Sequence, residues 1–227
     1  MKYQDGPKRV FDLCCSIPAV IVLSPVLIAF TGIGAIAMKG NPFYTQPRPG
    51  KDEKIFKLIK FRTMSNAKDK NGNLLPDDQR LNSYGKFLRS TSIDELPELL
   101  NIIKGDMSLI GPRPLLVRDM VFMSDKQRQR HTVRPGLSGL AQVNGRNSIT
   151  WEQKLEYDLE YLKNITISQD LSLIFQTIGK VFQRADINRD GTDSDMDFGD
   201  WLLENSSINR DEYDKKMKEA VELLKRG

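Results

Sequence analysis

The sequence is poor in the residues that build disulfide frameworks and histidine-rich sites. Only two of its 227 residues are cysteines, and these two, Cys14 and Cys15, are neighbours in an apolar run. Adjacent cysteines rarely bridge and no other cysteine can pair with them, which excludes a disulfide framework and is typical of a reducing compartment. His131 is the single histidine. It is a candidate base, but we expect a structural role for it.

Internal repeats and low-complexity stretches are also lacking, so the length indicates one domain with a sizeable core and some additional segments. The charge is unevenly spread. Residues 1–185 carry 27 Lys and Arg against 18 Asp and Glu, whereas residues 186–227 carry 7 against 12. A basic body favours an anionic partner, either nucleic acid, a phosphorylated ligand or an anionic membrane. Nucleic acid is disfavoured because the aromatic residues are not interleaved with the basic ones.

One apolar run, residues 13–38, contains 26 residues and no charge, which is enough to cross a bilayer once. It does not resemble a signal peptide, because the run is too long and no cleavage pattern follows it. Pro25 follows Ser24 in its middle and favours a kink, and the Ser24 hydroxyl can satisfy a carbonyl that the proline frees. Basic residues flank both ends, so both ends favour the cytoplasmic side. These features leave a re-entrant helix and a spanning helix as open alternatives.

The remaining chain has the pattern of a mixed, helix-rich α/β domain. Residues 40–64 predict two strands separated by turns, residues 66–80 a surface loop, and residues 107–111 a short strand. Residues 94–104 predict a helix that ends at Gly105. Thr150 and Gln153 form a capping-box pattern before another helix. A further helix begins at Ser168, and its apolar stripe suits either the core or a membrane interface.

Two adjacent carboxylates, Asp94 and Glu95, stand in a stretch that also contains Arg89 and Arg113. Because Pro97 lacks an N–H group, we expect the helix to begin with Asp94 as its N-cap, with Ser92 as the alternative cap. One interpretation is that both acids simply stabilise this helix end. The other is functional: one carboxylate attacks a phosphate, the second holds Mg²⁺ beside it, and the arginines neutralise the phosphate oxygens.

Several separated motifs resemble one family, the small monotopic phosphoglycosyl transferases, which are PglC-like bacterial sugar transferases. The resemblance covers roughly residues 5–185 and the motifs follow the family's order. The matching pieces are SPVL (24–27), FYTQPRPG (43–50), FKLIKFRTM (56–64), RSTSIDELPELLNIIKGDMSLIGPRPLL (89–116), HTVRPGLSGLAQVNGRN (131–147) and KLEYDLEYLKN (154–164).

The resemblance implies an enzyme that moves a sugar-1-phosphate from a UDP-sugar to polyprenol (undecaprenyl) phosphate and releases UMP, through a covalent aspartyl-phosphosugar intermediate. It implies Mg²⁺ as cofactor and the first membrane step of a bacterial glycan or glycoconjugate pathway. The expected protein is monotopic in the inner membrane, in contact with its phospholipids, with the active domain facing the cytoplasm. The expected segments are a re-entrant membrane helix (1–38), a catalytic domain (39–185) and an acidic helical tail (186–227).

The same resemblance assigns roles to individual residues. It implies that Asp94 is the nucleophile, that Glu95 is a catalytic residue and Mg²⁺ ligand, and that Ser24 and Pro25 break the membrane helix. Three arginines are implied in phosphate or nucleotide binding, namely Arg89, Arg113 and Arg146.

Other residues are weaker candidates. Lys60 and Arg62 suit either an anionic interface or a solvated strand. Asp158 is equally suited to a structural pairing with an arginine and to catalysis.

The acidic tail raises two further hypotheses. Residues 186–197 match much of an EF-hand loop, but position 12 is Asp197 rather than Glu and position 8 is acidic, so we expect no calcium site. Beyond it the sequence predicts two helices that pack on the domain or support a homo-oligomer. The rival function from another class is a non-catalytic membrane adaptor that binds anionic lipid through its basic face.

Overall fold

The computed structural model describes residues 3–145, 149–183 and 196–226. Arg146 and nearly all of the EF-hand-like stretch 186–197 therefore lie outside the described residues. Within the described part, the chain forms a mixed, helix-rich α/β body with one long apolar helix at its N-terminal end.

The long helix α1 (Pro7–Ala37) follows a short 3₁₀ helix (Tyr3–Asp5) and contains both Pro18 and Pro25. It continues through Pro25 instead of ending there, contrary to the expected break. Pro25 cannot donate to the carbonyl of Ile21, and the Ser24 hydroxyl donates to that carbonyl instead, at 2.7 Å. The predicted compensation by Ser24 is thus confirmed, and it explains how the helix tolerates the proline.

The predicted hairpin is confirmed. Strands β1 (Phe43–Pro49) and β2 (Ile55–Phe61) pair antiparallel and are joined through a 3₁₀ turn (Lys51–Glu53). Asn101, which is almost fully buried, accepts from the N–H of Ile59 and donates to the carbonyl of Lys57. Its amide therefore ties the edge of β2 to the helix that carries it, α4 (Glu98–Lys104).

The segment before α4 differs from the prediction. Within the predicted loop 66–80 a short helix forms, α2 (Asp77–Arg80), and α3 (Ser83–Thr91) follows it. Ser92, with φ of 55°, ends α3 and begins a 3₁₀ turn (Ile93–Glu95). The expectation that Asp94 caps α4 is wrong, because Pro97 precedes that helix and the two acids form a separate turn. Gly105 ends α4 in the left-handed conformation, as predicted.

A second, parallel pair of strands follows α4. Strand β3 (Ser108–Ile110) pairs with β4 (Gly136–Ser138), and three short helices lie near them, α5 (Val117–Met120), α6 (Asp125–Arg128) and α7 (Leu140–Val143). A 3₁₀ helix (Gln129–Thr132) lies between α6 and β4. The capping box of Thr150 and Gln153 opens α8 (Trp151–Lys163), as predicted.

Helix α9 (Ile167–Gln183) packs on β3 through Leu173. Much of its predicted apolar stripe is exposed on the surface. Leu171, Phe175 and Ile178 are exposed, Phe175 by 70%. The stripe is therefore only partly a core face, which favours the interface alternative.

The acidic tail forms the two predicted helices, α10 (Phe198–Glu204) and α11 (Arg210–Arg226). Both pack on the body of the same chain. Phe198 lies against Trp151 and Leu155, and Ala220 lies against Val117 and Val121 of α5. The tail is thus part of the folded body on the side next to α5.

Candidate active site

Three carboxylates and two cations meet where β2, the 3₁₀ turn and α4 come together. The ammonium of Lys60 lies 3.0 Å from a carboxylate oxygen of Glu95 and 3.0 Å from one of Glu98. Arg113 donates to the same oxygen of Glu95, also at 3.0 Å. Within the described residues, the Asp94 carboxylate forms no hydrogen bond and no ion pair. Glu95 is therefore held by two cations, whereas the Asp94 carboxylate has no such contact among the described residues.

Burial and the charges of this cluster shift the pKa values of its acidic groups. Burial raises the pKa of Asp94 to about 6, and the charge of Glu95 adds to the rise, although Lys60, Arg113 and Arg89 oppose it. The pKa of Asp94 is thus set by a balance of burial and charge in which burial prevails. At neutral pH the carboxylate form still predominates. Burial also raises the pKa of Glu98, to about 7, against the opposing charge of Lys60.

Lys60 lies among carboxylates and not on a solvated strand face. Burial alone would lower the pKa of Lys60, but Glu95 and Glu98 together raise it. Its charge therefore compensates two acids in a partly buried place, where neither would be stable as an unpaired anion.

The other predicted arginines lie around the 3₁₀ turn. Arg89 donates to the hydroxyl of Thr63 at 3.2 Å, and its positive charge lowers the pKa of Asp94. Arg62 donates its backbone N–H to Pro42, while its buried Nε has no hydrogen-bond partner among the described residues. The structure thus places Arg89 beside the nucleophile candidate and gives Arg62 no contact with the carboxylates.

A buried ion pair fixes the backbone that carries Arg113. Arg130 pairs with Asp158 at 2.7 Å, both side chains being at most 4% exposed, and it also donates to the carbonyl of Arg113. Asp158 therefore forms the structural pair with an arginine that the sequence offered as one of two alternatives. Arg130 was missed by sequence reasoning, because only the fold brings it to both partners.

The backbone of residues 111–113 is also positioned by close contact with glycines. A Cβ on Gly136 would lie 2.1 Å from the backbone N of Gly111, and Gly136 donates its own N–H to the carbonyl of Pro112. No side chain fits between two backbones at this distance. The glycine-rich stretch thus packs against the segment 111–113 and positions it.

His131 lies apart from the carboxylates. It is 5% exposed and lines a cavity of about 220 Å³ together with Asp52, Glu53, Arg128 and Thr132. Burial, reinforced by Arg130, lowers the pKa of His131 to about 3, so the imidazole is neutral. These observations fit the structural role expected for it.

The donor set can be compared with the needs of Mg²⁺. Among the described residues, no three acidic, histidine or cysteine side chains converge into a cation site of their own. Mg²⁺ is usually bound by one or two carboxylates together with substrate phosphates and water. Glu95, at the edge of a cluster that also suits phosphate, fits this kind of site.

Similarity to known proteins agrees with the geometry. Residues 3–184 match the bacterial sugar transferase family. The chain is 48% identical over 176 residues to the sugar transferase EpsL of Bacillus subtilis, covering 77% of this chain and 86% of that relative.

Two longer relatives carry more specific names. The undecaprenyl-phosphate galactose phosphotransferase of Salmonella typhimurium is 34% identical over 195 residues, covering 78% of this chain. The UDP-glucose:undecaprenyl-phosphate glucose-1-phosphate transferase of Klebsiella pneumoniae is 38% identical over 185 residues, covering 77% of this chain. The matched part is 40% of the length of each of these two relatives. The family match and these identities together show that the chain belongs to the bacterial sugar transferase family.

Proposed function

We propose that this protein transfers a sugar-1-phosphate from a UDP-sugar to a polyprenol phosphate, such as undecaprenyl phosphate, and releases UMP. The observation that carries the proposal is the asymmetric carboxylate pair. Asp94 is unpaired within the described residues, whereas Glu95 is held by Lys60 and Arg113. Relatives whose names state this class of reaction support the same conclusion.

The first step is a displacement at the sugar-linked phosphorus. An oxygen of Asp94 forms a bond to this phosphorus while its bond to the oxygen of UMP breaks, and UMP leaves with the electron pair. Arg113 and Arg89 neutralise charge on the phosphate oxygens. Lys60 holds Glu95 in place and keeps its charge compensated.

The second step returns Asp94 to its carboxylate form. A phosphate oxygen of the polyprenol phosphate attacks the same phosphorus, the bond to Asp94 breaks, and the lipid carries the diphosphate-linked sugar away. Glu95 would hold Mg²⁺ against the substrate phosphates, where the ion would supply charge compensation that the side chains do not complete.

The lipid substrate requires the site to lie at a membrane. Helix α1 exposes many of its large apolar side chains, with Val22 and Ile36 exposed by 74% and 81%, and α9 exposes Phe175. Both ends of α1 contact the same body, since Lys8 binds Asp170 while Gly34 packs against Tyr84 of α3. These contacts support a re-entrant, monotopic seating in the inner membrane with the catalytic body in the cytoplasm.

The proposed reaction predicts that purified protein, given polyprenol phosphate and Mg²⁺, releases UMP from at least one member of a UDP-sugar panel. Omission of the lipid should limit the release to at most one UMP per site. A protein that binds anionic vesicles but releases no UMP with any sugar would instead be the membrane adaptor.

The monotopic seating predicts that both ends of α1 lie on the cytoplasmic side. Gln4→Cys and Gly40→Cys, each in a chain whose Cys14 and Cys15 are replaced by serine, should both resist a membrane-impermeant thiol reagent in intact cells. Both should react after the cells are opened. Labelling of only one position from outside would establish a spanning helix.

A further inference from the structure

Arg48 lies on the face of the hairpin that carries Lys60. Residues directly opposite each other in an antiparallel pair point to the same face, and so do alternate residues of one strand. The register pairs Tyr44 with Lys60 and Arg48 with Phe56. Arg48 therefore lies on the same face as Lys60, nearer the turn and beyond the pair of Gln46 and Leu58.

This face is turned to the catalytic helix. Phe56 packs against Leu99 and Ile102 of α4 in the buried core. The charge of Glu98, the first residue of α4, acts on the Arg48 guanidinium. Arg48 therefore lies on the side of the hairpin that faces α4, which is also the side of Lys60.

The hydrogen-bonding capacity of Arg48 is largely unused. One terminal nitrogen donates to the amide oxygen of Gln46 at 2.7 Å, whereas the buried Nε has no partner among the described residues. Arg48 also forms no ion pair within 4 Å in the described part of the chain. A buried donor without an acceptor is costly, so such a group is usually retained for a reason.

Two guanidinium groups lie close together at this position. Burial, followed by the positive charge of Arg113, lowers the pKa of Arg48 to about 10. The charge of Asp119 opposes this decrease, but the two oxygens of Asp119 accept the backbone N–H groups of Leu116 and Phe198 and no hydrogen bond from Arg48. An anion between Arg48 and Arg113 would relieve the repulsion and supply the missing acceptor.

We propose that Arg48 binds a substrate phosphate group together with Arg113, an inference that rests on the proposed function. Arg113 already lies against Glu95, so Arg48 supplies the second guanidinium of a two-sided phosphate clamp. The phosphate belongs either to the UDP-sugar or to the polyprenol phosphate, which present the same chemistry to the clamp.

Kinetics of two substitutions test this binding role. Arg48→Met should raise the KM for one phosphate substrate about 10- to 100-fold, as expected for the loss of charge-assisted hydrogen bonds, and Arg48→Lys should restore part of the affinity. Single-turnover UMP release without lipid reports on the UDP-sugar. Steady-state turnover at saturating UDP-sugar reports on the polyprenol phosphate. Arg118→Met is the matched control, because Arg118 pairs with Asp197 and Asp200 of the tail.

Binding of UDP to the full chain in detergent separates the possible failures. Wild-type binding and UMP release, with KM and UDP affinity unchanged in Arg48→Met, would overturn the clamp and leave the proposed function intact. A lower melting temperature that is restored by adding Asp119→Asn, at unchanged KM, would also overturn it, since Arg48 would then act only as a structural counterion. Wild-type protein that neither binds UDP nor releases UMP would remove both proposals.

Discussion

Replacement of Asp94 by asparagine is expected to reduce turnover by roughly four orders of magnitude or more, the usual effect of removing a nucleophile. The amide cannot form the acyl phosphate, so the adduct with the phospho-sugar should also disappear. With UDP-sugar and Mg²⁺ but no lipid, intact-protein mass spectrometry should detect this adduct on the wild-type enzyme alone, and peptide mapping should place it within residues 89–104.

Stability separates this loss from misfolding. Because the folded state raises the pKa of Asp94 from 3.8 to about 6, ionisation of Asp94 costs stability as pH rises through that window. Asp94→Asn removes this cost, so the variant should melt no lower than wild type at pH 7.5. Asp125→Asn, at an exposed helix start, is the control. Turnover of Asp94→Asn within about tenfold of wild type, or an adduct that persists in it, would assign the nucleophile elsewhere.

Replacement of Lys60 by methionine should damage both catalysis and stability. Glu95 and Glu98 would lose their shared cation, and breaking such a pair costs about 3 kcal/mol or more when one charge stays buried. We expect the rate of UMP release to fall about a hundredfold, because Glu95 loses the contact that orients it. Urea unfolding and single-turnover UMP release measure the two effects.

The pH dependence of this variant has a definite sign. Glu98 has a pKa of 4.5 in the unfolded chain and about 7 in the folded protein, so its ionisation removes stability as pH rises across that range. Without Lys60 the folded pKa rises further, and the deficit of Lys60→Met should therefore be larger at pH 8 than at pH 5.5. Adding Glu98→Gln should restore much of the stability at pH 8 without restoring activity. A deficit independent of pH would contradict a charge-based role for Lys60.

The parts of the fold that are determined by residues close together in the sequence were predictable. The capping box before α8, the glycine after α4 and the serine that compensates Pro25 each act within one turn of helix. The start of α4 was not predictable in this way. Both Asp94 and the residues after Pro97 suit a helix beginning, and the choice depends on how Ser92 ends the preceding helix.

The candidate site was predictable where its residues are close in sequence. Asp94 and Glu95 attract notice as neighbours, whereas Lys60 reaches Glu95 and Glu98 only through the packing of α4 on the hairpin. Alternation along β1 is the signal that could have linked Arg48 to Lys60, once the register was known. Arg130 had no such signal, because its partners Asp158 and Arg113 are 28 and 17 residues away.

The polar end of α1 has a consequence for where this enzyme can exist in folded form. Lys8 binds Asp170 inside the body, Asp12 accepts from Ser108, and Arg9 donates to the last carbonyls of α4. Each of these groups is costly to leave unpaired, so α1 and the rest of the described body stabilise each other. Anything that binds the apolar face of α1 therefore also stabilises the helix that carries the catalytic cluster. In the proposed monotopic seating the bilayer is such a ligand, so a chain that has not reached it would lack part of the free energy that assembles the carboxylate cluster.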